Sequence, residues 1–188
     1  SARRVYPTRW ADNVAIQKLI NACYNSSIDC LGIEYLDANM LELLRDRIKI
    51  ETCDTIRVCC IDNATPVSPA SMVNLVIERV YETLCPAFPI YGSDGKPIPP
   101  AECVSHHVKT HDGTRVLCFL PSSFLIQGFL DRWNTDSTGI AKSIVLVFHR
   151  EFSLEKTPWE QLGVQTLKPP LDVGRLNSYS RLMNALHE

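Results

Sequence analysis

The chain has 188 residues, of which 45% are hydrophobic and 21% charged, and its formal net charge is −2. This length suits one domain with its own core. The near-neutral charge excludes the strong basic excess typical of proteins that bind nucleic acid through its backbone, so no direct nucleic-acid contact is expected. The most apolar region, Val116 to Leu130, contains Pro121 and Gly128. We therefore expect no membrane-spanning helix.

The first half of the chain predicts three helices and one strand. A helix is expected after Asp12 and a second after Asp37, because each aspartate precedes apolar residues at helical spacing. The β-branched run Thr55–Ile61 predicts a strand. A third helix is expected from Pro69, since proline suits the first helical position.

The second half predicts a sheet of antiparallel strands. Alternating or apolar runs place strands at Glu102–Thr110, Arg115–Leu120, Phe124–Asp131 and Ile140–Leu154. The dipeptide Asp112-Gly113 predicts a hairpin turn between the first two. Prolines make residues 86–100 a loop and 157–174 an irregular insertion. The pattern of Arg175–Leu186 fits a strand or a helix. Helices segregated from an antiparallel sheet indicate an α+β domain.

Three segments resemble the nuclear transport factor two-like family. Leu125–Leu130 resembles a family strand with glycine between apolar residues, and Val147–Leu154 is similar to the strand that follows. Asn177–Glu188 resembles the closing strand, which favours a strand over Arg175–Leu186. The resemblance implies one domain over residues 1–188, with a highly curved antiparallel sheet wrapped on three helices and with 86–100 and 157–174 as insertions or loops.

Within that family the chain looks most like the nuclear RNA export factors, because of Leu117–Phe119 and the near-terminal Asn184-Ala185. The resemblance implies a non-enzymatic domain that forms a heterodimer with the small nuclear transport factor two-related export cofactor. In that group the pair also contacts phenylalanine-glycine repeats of nucleoporins. Messenger RNA transport and a nuclear location, with shuttling to the cytoplasm, are the corresponding expectations.

The predicted partner interface is the sheet face opposite the helices. The strands around Cys118 and Val145 are apolar on both sides, whereas an antiparallel sheet with one solvent face should alternate. A partner sheet would cover such a face. The predicted interface residues are His107, Val116, Cys118, Phe129, Val145, Val147, His149, Glu151 and Arg181.

Metal and nucleophile sites are weighed against simple packing. In the predicted hairpin His107 faces Cys118, which would allow a nucleophile pair, but no third orienting group is visible. Cys103 would lie about 13 Å from His107 along the strand, too far for one zinc site. Most of the eight cysteines lie in apolar runs such as Val58–Ile61, so we expect reduced thiols and no bound metal.

Two enzymatic alternatives remain open. Enzymes of the same cone-shaped fold place an acid–base pair in the cavity, and Arg150 could mark such a pocket. The opening of the chain also resembles acyl-CoA N-acetyltransferases, which hold a pyrophosphate with a glycine-rich loop before a helix. No such loop occurs in this sequence. We expect no catalytic residue and no cofactor.

Overall fold

The computed structural model describes most of the chain. The described residues are 13–25, 27–62, 64–65, 67–84, 90–135, 139–155 and 157–171. Of the sequence-based predictions, the strand over Arg175–Leu186 and the interface residue Arg181 lie outside these ranges.

A five-stranded sheet forms the centre of the domain. Its strands are β1 (Cys30–Tyr35), β2 (Val58–Cys60), β3 (Val116–Pro121), β4 (Ile144–Glu151) and β5 (Gln165–Leu171). They lie in the order β2-β3-β4-β1-β5, and all four pairings are parallel. An isolated antiparallel bridge joins Tyr91 to Pro97. Helices and a sheet combine as predicted, but the expected antiparallel, highly curved sheet is not the one these strands form.

Within the described residues, five α-helices and three short 3-10 helices surround the sheet. The α-helices are α1 (Asn13–Tyr24), α2 (Asn39–Glu51), α3 (Pro69–Leu84), α4 (Pro100–Thr110) and α5 (Gln127–Asn134). The 3-10 helices are Ser122–Phe124, Ile140–Lys142 and Trp159–Leu162. Residues of α1 and α2 pack on one sheet face, and those of α3, α4 and α5 on the other. The sheet is therefore the middle layer of three, as in doubly wound domains.

Helices on both faces of the sheet explain why its strands are apolar on both sides. Leu117 and Val145 belong to the cluster beneath α1 and α2. Their neighbours Cys118 and Leu146 belong to the cluster beneath α3 to α5. Strands buried on both faces read as continuous apolar runs. The excess of apolar residues that predicted a partner sheet reflects a second layer of helices in this same chain.

The predicted strand Glu102–Thr110 is wrong, because these residues form helix α4. Val104 and Val108 fit both a period of two and a helical period, and with Ala101 they form the buried face of the helix. Proline at the first helical position and Glu102 in the first turn favour the helix. The Asp112-Gly113 hairpin is wrong for the same reason, since both residues, with positive φ, connect a helix to β3.

Other segments also differ from the predictions. Residues 124–131 end a 3-10 helix and begin α5, so the glycine-containing segment Leu125–Leu130 is not a strand. Of the predicted strand Ile140–Leu154, only Ile144–Glu151 is extended, as β4. The expected irregular insertion 157–174 contains β5, which pairs with β1. β1 itself was not predicted.

The predictions for the first half of the chain are largely confirmed. The helices after Asp12 and Asp37 are α1 and α2, and the helix that starts at Pro69 is α3. β2 lies within the predicted Thr55–Ile61, and β3 matches Arg115–Leu120 to within one residue at each end. Of the predicted loop 86–100, residues 90–99 form a turn that ends at Pro100, the start of α4.

Arg115 ties β3 to the connection between α1 and β1. Its guanidinium donates to Asp29 Oδ1 at 2.8 Å, to Ala22 O at 2.7 Å and to Asn25 O at 2.6 Å. It also donates to Ile28 O. The side chain is 4% exposed. One buried cation therefore satisfies carbonyls that the end of α1 leaves without helical partners.

Two further observations concern the cysteines and the helices. The cysteines in the described ranges are all free thiols, and Cys85 lies outside those ranges. Within the same ranges no helix combines the length and apolarity that a bilayer crossing requires.

Candidate functional site

The topology singles out one crevice of the sheet. Because the strands are parallel, the loops that follow them all leave one edge, here called the carboxyl edge. β1 and β4 are neighbours. The chain leaves β1 towards α2 on one face, and leaves β4 towards Trp159, which packs in the cluster on the other face. Doubly wound domains bind their ligands outside the carboxyl edge at such a switch point.

One side of this crevice is filled by an ion pair. Arg150 Nε lies 3.1 Å from Glu34 Oε2, and both side chains are 10% exposed. Arg150 also donates Nη1 to Thr157 O at 3.0 Å. Its guanidinium carbon lies 3.9 Å from the centre of the Trp159 ring, a cation–π contact. The groups that could have served as an acid–base pair are thus engaged with each other and with the next loop.

The Trp159 ring depends on the absence of a side chain at Gly32. A Cβ at this position of β1 would lie 2.4 Å from Trp159 Cε3. The glycine therefore lets one edge of the ring come close to the strand, while the ring also contacts the Arg150 guanidinium.

Gly32→Ala is expected to lower the free energy of unfolding by about 1–3 kcal/mol, because the ring must move away from the strand. Urea unfolding monitored by tryptophan fluorescence measures the change. Adding Trp159→Leu should recover part of the loss, since the two changes share one contact. An unchanged urea midpoint for Gly32→Ala would show that the ring does not lie against β1.

The other side of the crevice contains His149 and Arg45. His149 is 9% exposed, and neither ring nitrogen has a hydrogen-bond partner among the described residues. Burial, followed by the positive charge of Arg45, lowers the pKa of His149 to about 4, against a smaller opposing effect of Asp62. Arg45 pairs with Asp62 at 3.0 Å and lies over the Phe119 ring at 5.9 Å. His149 is therefore a neutral imidazole beside a cation.

The first connection after a strand, between β1 and α2, lacks a phosphate loop. In doubly wound nucleotide-binding domains this turn is glycine-rich, and the backbone N–H groups of the next helix hold the phosphates. Here the connection is Leu36-Asp37-Ala38. Asp37 Oδ1 accepts the N–H of Asn39 at 2.8 Å. The Asp37 carboxylate thus occupies a backbone N–H donor that a phosphate would need, and its negative charge repels an anion.

The carboxyl edge also presents exposed apolar side chains. One follows each of the first four strands, and their exposed fractions are large. They are Leu36 (51%) after β1, Val67 (98%) after β2, Ile126 (42%) after β3 and Leu154 (91%) after β4. Several exposed apolar groups at one edge are typical of a binding surface.

The structure does not bring the predicted interface residues onto one exposed face. All of the apolar ones are buried in the core: Val116, Cys118, Phe129, Val145 and Val147. His107 lies on α4, where its ring stacks on His111 at 3.9 Å. Cys118 lies beside Cys59 of the neighbouring strand, so the predicted cross-strand pair of His107 and Cys118 is wrong. Of the predicted interface residues that the structure describes, only His149 and Glu151 lie at the carboxyl edge, at the end of β4.

Sequence reasoning missed the residues that fill the crevice. Glu34 was missed because β1 was not predicted, although the short run Cys30–Tyr35 is compatible with a buried strand. Asp37 was read only as a helix start. In the part of the chain that the structure describes, no cluster of three or more potential metal-ligating side chains is found.

Comparison with known proteins adds no relative. No family model, no curated protein and no solved structure matches the chain.

Proposed function

We propose that this chain is a non-enzymatic protein-binding domain that uses the carboxyl edge of its sheet as the binding surface. The observation that carries the proposal is the β1–α2 connection, where Asp37 takes the place of a phosphate-binding loop. Doubly wound parallel sheets commonly bind nucleotides. Asp37 lies where such domains hold the phosphates, and its negative charge favours a cation over an anion.

The filled crevice supports the absence of catalysis. A general acid or base must reach the proton that it transfers. Glu34 and Arg150 instead neutralise each other behind Trp159. His149 lies beside Arg45, which opposes the protonation that a general base must undergo.

The exposed apolar side chains support binding of a protein. Four loops at one edge each carry one of them, and a partner that covered this edge would remove all four from water. Asp37, Asp62 and Glu155 supply polar groups around them. An apolar centre with a polar rim is the usual composition of a specific interface.

The experiment is a calorimetric titration of the full chain with magnesium–ATP and, separately, with a dinucleotide. We expect no saturable heat in either titration, because Asp37 repels the phosphates. A control titration of a protein with a glycine-rich phosphate loop shows that the assay detects binding. Saturable binding of either nucleotide that strengthens in Asp37→Gly would overturn the proposal.

A narrower form of the proposal is the heterodimer with the small export-factor cofactor in nuclear RNA export. Its support is the sequence resemblance. In the present framework the cofactor would have to bind at the carboxyl edge, since helices cover both sheet faces. Co-expression followed by sedimentation tests this form. A one-to-one complex weakened by Leu154→Ser supports it, and a monomer that ignores the cofactor counts against it.

A further inference from the structure

One part of the carboxyl edge forms a groove with a defined chemical character. The groove lies between the residues that follow β2 and the outer side of α3, and its volume is about 470 Å³. Its apolar lining includes Ala64, Val67 and Leu75, and its polar lining includes Asn74 and Glu78. We call it the α3 groove.

The apolar part of the α3 groove is open to solvent. Val67 is 98% exposed. Leu75 is half-buried and packs against the core beneath α3, so the base of the groove is anchored. Nearby, α5 begins against α3, because a Cβ at Gly128 would lie 3.1 Å from Pro69 Cγ. This contact places the exposed Ile126, two residues before Gly128, beside the same end of α3.

The charge that the described residues place in the groove is negative, and no ion pair among those residues compensates it. Glu78 is exposed and has no ion-pair partner among the described residues. Its neighbour Arg79 pairs instead with Glu82 at 3.6 Å. The hydroxyl groups of Ser68 and Ser71 bond to each other and to the first turn of α3. Glu78 is thus the charged group that the groove offers to a ligand.

We propose that the α3 groove binds a segment of a partner protein that carries an apolar anchor side chain and, one helical turn away, a lysine or arginine. Leu75 and Glu78 are three residues apart, about 5 Å along the axis of α3. A partner helix in which apolar and basic residues recur one turn apart matches this spacing. Its apolar side chain would contact Val67 and Leu75, and its lysine or arginine would pair with Glu78. The proposal rests on the proposed function and names the chemistry of the partner.

The probe is a fluorescein-labelled amphipathic helical peptide of leucine and lysine, and its counterpart has glutamate in place of lysine. Fluorescence anisotropy measures binding of both to the full chain. We expect the leucine–lysine peptide to bind at least about tenfold more tightly than the glutamate peptide. The double variant Val67→Ser, Glu78→Gln should weaken the lysine peptide by about tenfold or more.

The control is Val14→Ser with Glu42→Gln, which removes an exposed valine and an exposed glutamate from α1 and α2 on the other face. It should change binding by less than about twofold. Equal affinity for both peptides, or equal weakening by both double variants, would overturn the proposal. Self-association that Val67→Ser abolishes would also overturn it, since a second copy would then be the occupant. These outcomes leave the nucleotide titration unchanged, so failure of the groove and failure of the proposed function are distinguishable.

Discussion

Arg115→Ala is expected to be among the most destabilising single substitutions in this chain, lowering the free energy of unfolding by about 2–4 kcal/mol through the loss of its hydrogen bonds. The guanidinium donates to Asp29, Ala22, Asn25 and Ile28 from a side chain that is 4% exposed. Alanine removes the donors and takes from the carbonyl of the buried Ala22, near the end of α1, the hydrogen bond that Arg115 supplies. The connection between α1 and β1 would then lose its side-chain attachment to β3, while the backbone N–H of residue 115 can still donate to Cys23 O.

Urea unfolding at neutral pH measures this effect. Arg115→Lys should recover only part of the loss, since one ammonium cannot reproduce the planar fork of donors. The matched control is Arg79→Ala, which breaks an exposed pair with Glu82 at 3.6 Å and should cost less than about 1 kcal/mol. A loss of that small size for Arg115→Ala would show that the buried hydrogen bonds do not hold the connection.

Local patterns predicted the elements whose evidence lies within one segment. Helices α1, α2 and α3 each combine a start signal with apolar residues at helical spacing. Hydrophobic periodicity alone does not identify α4, because Val104 and Val108 fit the alternation of a strand and the spacing of a helix equally well. The signal that decides between them is Pro99-Pro100 at the start of the helix, whereas the proline content of residues 86–100 predicts a loop there.

The direction of the sheet could not be read from the strands alone. A run such as Val116–Leu120 is buried on both faces whether a partner protein or helices of the same chain provide the cover. Recognising β1 and α4 would have turned the order into strands alternating with helices, which indicates a parallel sheet. One missed strand and one misread helix thus changed the predicted fold.

The contacts of the candidate site could not be predicted from local sequence patterns, because the residues that form them are far apart in the chain. Glu34 and Arg150 are 116 residues apart in the chain, and only the pairing of β1 with β4 brings them together. The packing of Trp159 on Gly32 likewise joins a loop after β4 to the middle of β1. Contacts of this kind depend on strand order, which no periodicity within a segment specifies.

His149 is expected to make the domain sensitive to mild acid. Burial and Arg45 lower its pKa to about 4 in the folded chain, against about 6.5 in an unfolded chain. Between these values the unfolded state binds a proton and the folded state does not. The contribution of neutral His149 is therefore fully present above about pH 6.5 and is lost as the pH falls towards 4. The largest loss is about 3 kcal/mol.

His149→Phe should remove this part of the pH dependence, because phenylalanine keeps an aromatic ring beside Tyr35, whose ring centre lies 6.1 Å from that of His149. Urea unfolding midpoints at pH 7.5 and 4.5 measure the loss of stability in each protein. Carboxylates that titrate in both proteins contribute equally, so their effects cancel in the comparison. We expect wild type to lose more stability than His149→Phe, and the control His106→Gln, at an exposed position of α4, to behave as wild type. Equal losses in wild type and His149→Phe would show that the imidazole is not held neutral in the folded state. Neither ring nitrogen has a hydrogen-bond partner among the described residues, so water would then have to supply the partners that a charged imidazolium requires.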